Sequence, residues 1–80
     1  MVIKVLGSGC ANCQRLEALV REATRELGVE VEIEKVTDYK SIMAYGITAT
    51  PGLVIDEKVV SAGRVPSKAE ITTYVTSALS

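Results

Sequence analysis

The chain opens on a short apolar run, Val2 to Leu6, interrupted once by Lys4. A run of that length followed by Gly7-Ser8-Gly9 predicts a buried strand that ends in a flexible loop. Leu16, Leu19, Val20, Ala23 and Leu27 then recur at helical spacing, with Arg15, Glu17, Arg21, Glu22, Arg25 and Glu26 on the opposite face. This pattern predicts one long amphipathic helix starting near Cys10, with Glu17 and Arg21 as an i,i+4 pair and Gly28 as its C-terminal cap. From Val29 to Val36 the chain begins with strict alternation of apolar and charged residues, which predicts a strand with one buried and one solvated face. Its charges also guard against pairing with other chains.

Beyond that strand, Thr37-Asp38 supplies N-cap chemistry for a short helix from Tyr39 to Tyr45, ended by Gly46, with Ile42 and Met43 turned to the core. Ile47 to Gly52 is a connecting stretch. Leu53-Val54-Ile55 and Lys58-Val59-Val60 form a hairpin around an Asp56-Glu57 turn, and Gly63 breaks the second of these strands. Ser67, with Glu70 three residues later, marks a capping box that opens a last helix whose apolar face is Ile71, Tyr74, Val75, Ala78 and Leu79. The order is strand, helix, strand, helix, strand, strand, helix. Its first two strands are expected to be parallel through a helical crossover and its last two antiparallel.

Composition narrows the function classes. With 80 residues, 48% hydrophobic, the chain is expected to be a single soluble domain spanning residues 1–80, with one modest core. Trp and Phe are absent, so that core is built from Val, Ile, Leu and Ala with three tyrosines. A net charge of -1 with mixed signs gives no electrostatic footprint for nucleic acid or an anionic membrane. No apolar run approaches the roughly 20 residues that span a bilayer, and the run at the start is too short for the core of a signal peptide. The sequence therefore reads as cytoplasmic. In that setting its two cysteines point to redox or metal chemistry rather than a structural bridge.

Those cysteines are Cys10 and Cys13, in Cys10-Ala11-Asn12-Cys13. Three residues is about one helical turn, so a helix starting near Cys10 places both sulfurs on one side of its first turn, within bonding reach. A bridge across two intervening residues constrains little unfolded-state entropy, which argues against a purely stabilising role. Unpaired N–H groups and the positive dipole end at the helix N-terminus stabilise a thiolate on the first cysteine. Cys10 is thus expected to attack and Cys13 to resolve.

The order of elements, the Cys10-Ala11-Asn12-Cys13 motif after the first strand, and Thr50-Pro51 before the third together resemble the thioredoxin superfamily. Tyr45-Gly46-Ile47, Leu53-Val54-Ile55-Asp56 and Gly63-Arg64-Val65-Pro66-Ser67 extend the similarity to minimal thioredoxin-like proteins of the redox-active disulfide protein 2 type. The resemblance covers nearly the whole chain. It implies an α/β thioredoxin-like fold, β-α-β-α-β-β-α, with a central four-stranded mixed sheet and helices on both faces. It also implies thiol-disulfide oxidoreductase activity on disulfide-containing protein substrates, without metal or organic cofactor. The monomeric protein would be fed by an electron donor such as a thioredoxin reductase or glutathione. Only about 5–6% of X-Pro bonds are cis, so residue type alone favours trans. The resemblance instead implies a cis Pro51 against the cysteine pair and a Thr50 backbone that pairs with substrate. Gly63 is open to two readings, a neighbour of the substrate groove by resemblance or a plain strand terminator.

The departures carry information too. Ala11-Asn12 replaces the Gly-Pro of typical thioredoxins and the Pro-Tyr of typical glutaredoxins, and Gly9 stands where thioredoxins usually carry Trp. No carboxylate can be placed beneath Cys13 from the sequence, and the chain has no histidine, so no proton acceptor for the resolving thiol is identified. Arg15 reads as a solvated helix residue, Asn12 as a cap or an exposed side chain, and Tyr45 as core with its hydroxyl at the surface. The alternative function is a soft-metal carrier of the Cu(I) type using the same two thiolates. Against it stand Ser8, where such carriers have Met, and the helix between the second and third strands. A closed zinc site needs four ligands, which two cysteines and no histidine do not supply.

Overall fold

The computed structural model describes all residues 1–80, in the order β1 (Val2–Leu6), α1 (Ala11–Leu27), β2 (Glu32–Val36), α2 (Tyr39–Ala44), β3 (Gly52–Ile55), β4 (Lys58–Ala62) and α3 (Lys68–Leu79). The strands form one four-stranded sheet in the order β2-β1-β3-β4. β1 runs parallel to β2 and antiparallel to β3, and β4 is antiparallel to β3. The predicted order and the mixed sheet are present.

Side-chain alternation along the two central strands builds two cores. Ile3 and Val5 of β1 with Leu53 and Ile55 of β3 face Leu16, Val20 and Ala23 of α1 and Ile71 and Val75 of α3. Leu6 and Val54 point the other way and meet Ile42 of α2 and Ile47. The sheet is thus covered by two helices on one face and by a single short one on the other. β3 is buried along its whole length, as expected of a central strand.

Several boundaries differ from the sequence pattern for identifiable reasons. Alternation starts at Val29, but β2 starts at Glu32, because the sole neighbour of β2 is β1 and Val2 is the register partner of Glu32. β4 runs on to Ala62, since Gly52 and Leu53 continue to pair with Ala62 and Ser61 across an irregularity next to Val54. α2 stops at Ala44, with Tyr45 as its cap. Only Ile42 of α2 is buried; Met43 is 46% exposed, because neighbouring helical positions lie about 100° apart and this helix has one face against the sheet. Tyr39, at 73% exposed, is likewise outside the core. The apolar face of α3 fades at its end, where Leu79 is 54% exposed.

The hairpin turn is tight. Asp56 and Glu57 both have positive φ, 47° and 71°, the combination a two-residue turn needs to match the twist of its strands. Glu57 is held there by Lys4, whose Nζ donates to its Oε1 at 2.6 Å and to Tyr45 Oη at 2.8 Å. The Lys4 ammonium is accordingly held well above its ordinary pKa, chiefly by the bond to Glu57. Tyr45 is therefore tied into a surface network beside the hairpin, half-buried with its hydroxyl outward.

Candidate functional site

β1 delivers the chain to the site. At its end Gly7 donates its N–H to Val36 O at 2.9 Å, which holds the loop to the end of β2. Ser8, Gly9 and Cys10 are exposed, and α1 begins immediately after. Cys10 is the N-cap of α1, a role that the sequence had left open to Asn12, itself an exposed residue of the first turn. The Cys10 Sγ accepts a hydrogen bond from the backbone N–H of Cys13 at 3.2 Å, so this sulfur satisfies one of the free donors of the helix end.

Cys10 and Cys13 are joined in a disulfide, with their Cα atoms 5.0 Å apart. The two sulfurs have unlike surroundings. Cys10 is exposed, while Cys13 is 4% exposed and turned under the loop. Gly7 explains the fit: a Cβ built there would overlap Cys13 Sγ, and it would lie 3.8 Å from Thr50 Cβ. Gly7 thus sits between Cys13 and Thr50, and it has no room for a side chain.

Thr50 is exposed in the loop before β3, the Thr50-Pro51 peptide bond is cis, and Pro51 is buried. Gly63 follows β4 with φ 80° and donates its N–H to Pro51 O at 2.9 Å. A Cβ on Gly63 would stand 3.1 Å from Ala49 Cβ. Cys10, Cys13, Thr50, Pro51 and Gly63 are therefore gathered at one end of the sheet, with Gly7 linking the cysteine side to the proline side. Arg15 is exposed on α1, along a groove shared with Asn12 and Arg64.

Two residues that the sequence pattern placed among the solvated charges, Glu17 of the polar helix face and Lys35 of the alternating strand, instead line a cavity together with Cys13. It has a volume of about 80 Å³ and is also walled by Val5, Gly7, Gly9, Gln14 and Thr37. Glu17 Oε1 is 3.3 Å from Lys35 Nζ, and its Oε2 accepts two bonds from Arg21 at 3.0 and 2.9 Å. Its side chain is 15% exposed. Arg21, and then Lys35 against some desolvation, hold the Glu17 carboxyl below its ordinary pKa. Helical spacing alone could have placed Glu17 under Cys13, one turn along the same face. Nothing in the sequence shows that Lys35 reaches across from β2.

A disulfide open to solvent at one sulfur and sheltered at the other is suited to exchange. Carried on this fold, it marks the class of thioredoxin-like thiol-disulfide oxidoreductases. The chain belongs to the thioredoxin family: the family pattern described as a thioredoxin domain matches residues 1–76. It is 49% identical over 71 residues to a thioredoxin of Methanothermobacter thermautotrophicus, covering 89% of this chain and 92% of that protein. It is 39% identical over 71 residues to a thioredoxin of Methanocaldococcus jannaschii, covering 89% of this chain and 81% of the relative. Among solved structures, thioredoxin-2, described as a component of malaria parasite protein secretion machinery, superposes with a TM-score of 0.68 at 11% identity. That match covers 95% of this chain and 81% of the other and speaks to the fold. No helix is long and apolar enough to cross a membrane.

Proposed function

We propose that this oxidoreductase reduces disulfides in protein substrates by attack of the Cys10 thiolate and resolution by Cys13. The observation that carries this reading is the asymmetry of the pair. Cys10 is exposed and its sulfur takes a backbone N–H at the start of a 17-residue helix, whereas Cys13 is buried. A thiolate at Cys10 is stabilised by that donor and by the helix dipole, and it alone is open to a bulky disulfide. Attack forms a Cys10-substrate mixed disulfide and releases one substrate thiol. Cys13 then displaces the second, leaving the Cys10-Cys13 disulfide. In this reading Thr50, Pro51 and Gly63 form the shelf on which an extended substrate segment lies beside Cys10. The protein acts as a monomeric single domain in the cytoplasm, re-reduced by a thioredoxin reductase or by glutathione.

The test is a pair of single-cysteine variants incubated with a disulfide-containing protein. Cys13→Ser should accumulate a mixed disulfide on Cys10, and Cys10→Ser should neither reduce nor capture the substrate. The reverse pattern would sink the assignment. Pro51→Ala should alter capture of protein substrates more than the alkylation rate of Cys10, and an unchanged capture profile would remove Pro51 from the binding shelf.

A further inference from the structure

Two unlike surfaces meet around Cys10. Ser8, two residues before it, lines a pocket with Ile42, Met43 and Ile47 that carries no charged group. Asn12, two residues after it, lines an open groove of about 620 Å³ between α1 and the segment leading into α3. Arg64, next to Gly63, is also on the wall of that groove, so the groove continues the proposed substrate shelf. Its charged side chains are Arg15, Arg64, Lys68 and Glu70. Three of these are already matched. Arg64 donates to both carboxylate oxygens of Glu70, with Nη1 at 3.3 Å from Oε1. Glu70 also accepts the Ser67 N–H, so its charge is taken up within the capping box. Lys68 Nζ lies 3.2 Å from Glu22 Oε1 and 2.8 Å from Glu26 Oε2, which draws it toward the later turns of α1.

Arg15 is the cation left over. It is exposed, and the three acids of α1 pair with other residues, Glu17 with Arg21 and Lys35, Glu22 and Glu26 with Lys68. The first turn of α1 holds no acidic residue, so the positive end of the helix dipole and Arg15 act on the groove in the same direction. Asn12 and Arg15, three residues apart, lie on one face of the helix. We propose that this groove selects disulfides with an acidic residue close in sequence to the attacked cysteine, and that Arg15 pairs with its carboxylate. The inference rests on Cys10 as the attacking thiol and deepens that reading by naming a substrate class. Two or three residues of extended substrate span about 7–10 Å. That is enough to pass the helical rise of about 5 Å between Asn12 and Arg15. An exposed ion pair adds little to a settled complex. Its effect falls on the encounter, where an unmatched cation beside the reacting thiol speeds an anionic partner and slows a cationic one. The pocket beyond Ser8 carries no charge to oppose that preference.

The experiment uses two sets of peptides, with Glu, Gln or Lys placed two residues before or two residues after a single cysteine that is joined to a small aromatic thiol. The aromatic thiol is the better leaving group, so its release, followed by stopped flow with the reduced protein, reads attack on the peptide sulfur. Each rate is divided by that of the matching Gln peptide with the same variant, so a change in the Cys10 thiolate itself cancels. In at least one set the Glu peptide should react about threefold or more faster than the Gln peptide, and the Lys peptide slower. The spread should close toward about 1 M salt, where the Debye length is about 3 Å. Arg15→Gln should level the three rates, Arg15→Glu should invert their order, and Arg15→Lys should keep most of the preference. Lys58→Gln makes the same change in net charge at the far end of β4 and should leave the preference intact. Level rates in both wild-type sets, a preference that survives Arg15→Gln, or one lost equally in Lys58→Gln would overturn the proposal alone, since Cys10 still attacks the Gln peptide. A loss confined to oxidised glutathione, the other source of such carboxylates, would overturn the assignment to a polypeptide. Thiol release by Cys10→Ser at the wild-type rate would overturn Cys10 as the attacking thiol and the proposal with it.

Discussion

At Gly7 the governing quantity is volume. The missing Cβ leaves the space that Cys13 Sγ occupies, while the Gly7 N–H fixes the loop to Val36. A methyl group there meets a sulfur that the disulfide ties to Cys10, so the oxidised protein has little freedom to yield. In the reduced protein the Cys13 side chain can rotate. Gly7→Ala should therefore cost the oxidised form about 1–3 kcal/mol as an overpacked site, and the reduced form less. Destabilising the disulfide state makes the couple more oxidising, by up to about 60 mV if the whole cost falls on that state. Equilibrium titration against dithiol buffers, read by alkylation and mass spectrometry, checks this; a midpoint equal to that of wild type would show that Cys13 shifts as easily with the bridge as without it. The sequence marked Gly7 only as part of a flexible loop. Which sulfur faces it depends on how α1 leaves the strand, and no periodicity encodes that. The cis geometry at Pro51 was legible only through resemblance, and the Lys35 contact to Glu17 not at all.

Among the elements, α3 shows how much local chemistry can be read in advance. Ser67 Oγ accepts from the Glu70 N–H at 3.1 Å, and Glu70 Oε1 accepts from the Ser67 N–H at 3.0 Å, the reciprocal pair that the sequence predicted. Arg64 adds a second partner. Arg64 first, and then the Ser67 N–H, pull the Glu70 carboxyl down to about 2 from an ordinary 4.5. The folded-state value lies below the unfolded one, so the contribution of Glu70 is present above pH 4.5 and is lost as pH falls toward 2. Glu70→Gln should lower stability at pH 7 and flatten its loss across that acid window, though Glu17, Glu26 and Glu57, also held below the ordinary range, will leave some slope. Urea titrations at pH 2, 3, 4.5 and 7 measure it, and parallel wild-type and variant curves would refute it. Ser67→Ala should cost about 1 kcal/mol. Strand β2 is the contrasting case. Its alternation begins three residues too early because a strand ends where its neighbour ends, and the register of Val2 with Glu32 is a tertiary fact.

Across the whole molecule the sheet separates two cores of unequal size. Nine buried residues lie between the sheet and the α1-α3 pair, against four beneath α2. The order β2-β1-β3-β4 that creates this division was only partly legible: the patterns marked β1 as buried, β2 as half-solvated and β3-β4 as a hairpin, but nothing local says that β1 and β3 are neighbours at the centre. The imbalance has a dynamic consequence. α2 has six residues and one buried anchor, Ile42, so it can open without exposing the larger core. Leu53→Ala, in the large core, should destabilise the whole fold by about 2–5 kcal/mol and lower the urea midpoint accordingly. Ile42→Ala should shift that midpoint less, while the amide hydrogens of α2 exchange much faster than those of α1 and α3. Ile47, in the same small cluster, leads into the loop that carries Thr50, so loosening Ile42 also slackens one side of the proposed substrate shelf. Turnover of a protein disulfide should then fall while reaction with a small aromatic disulfide, which needs only Cys10, stays near wild type. Equal midpoint shifts for the two variants, with α2 protected as well as α1, would mean that the sheet couples both cores into one cooperative unit. The substrate shelf would then be as rigid as the strand that bears it.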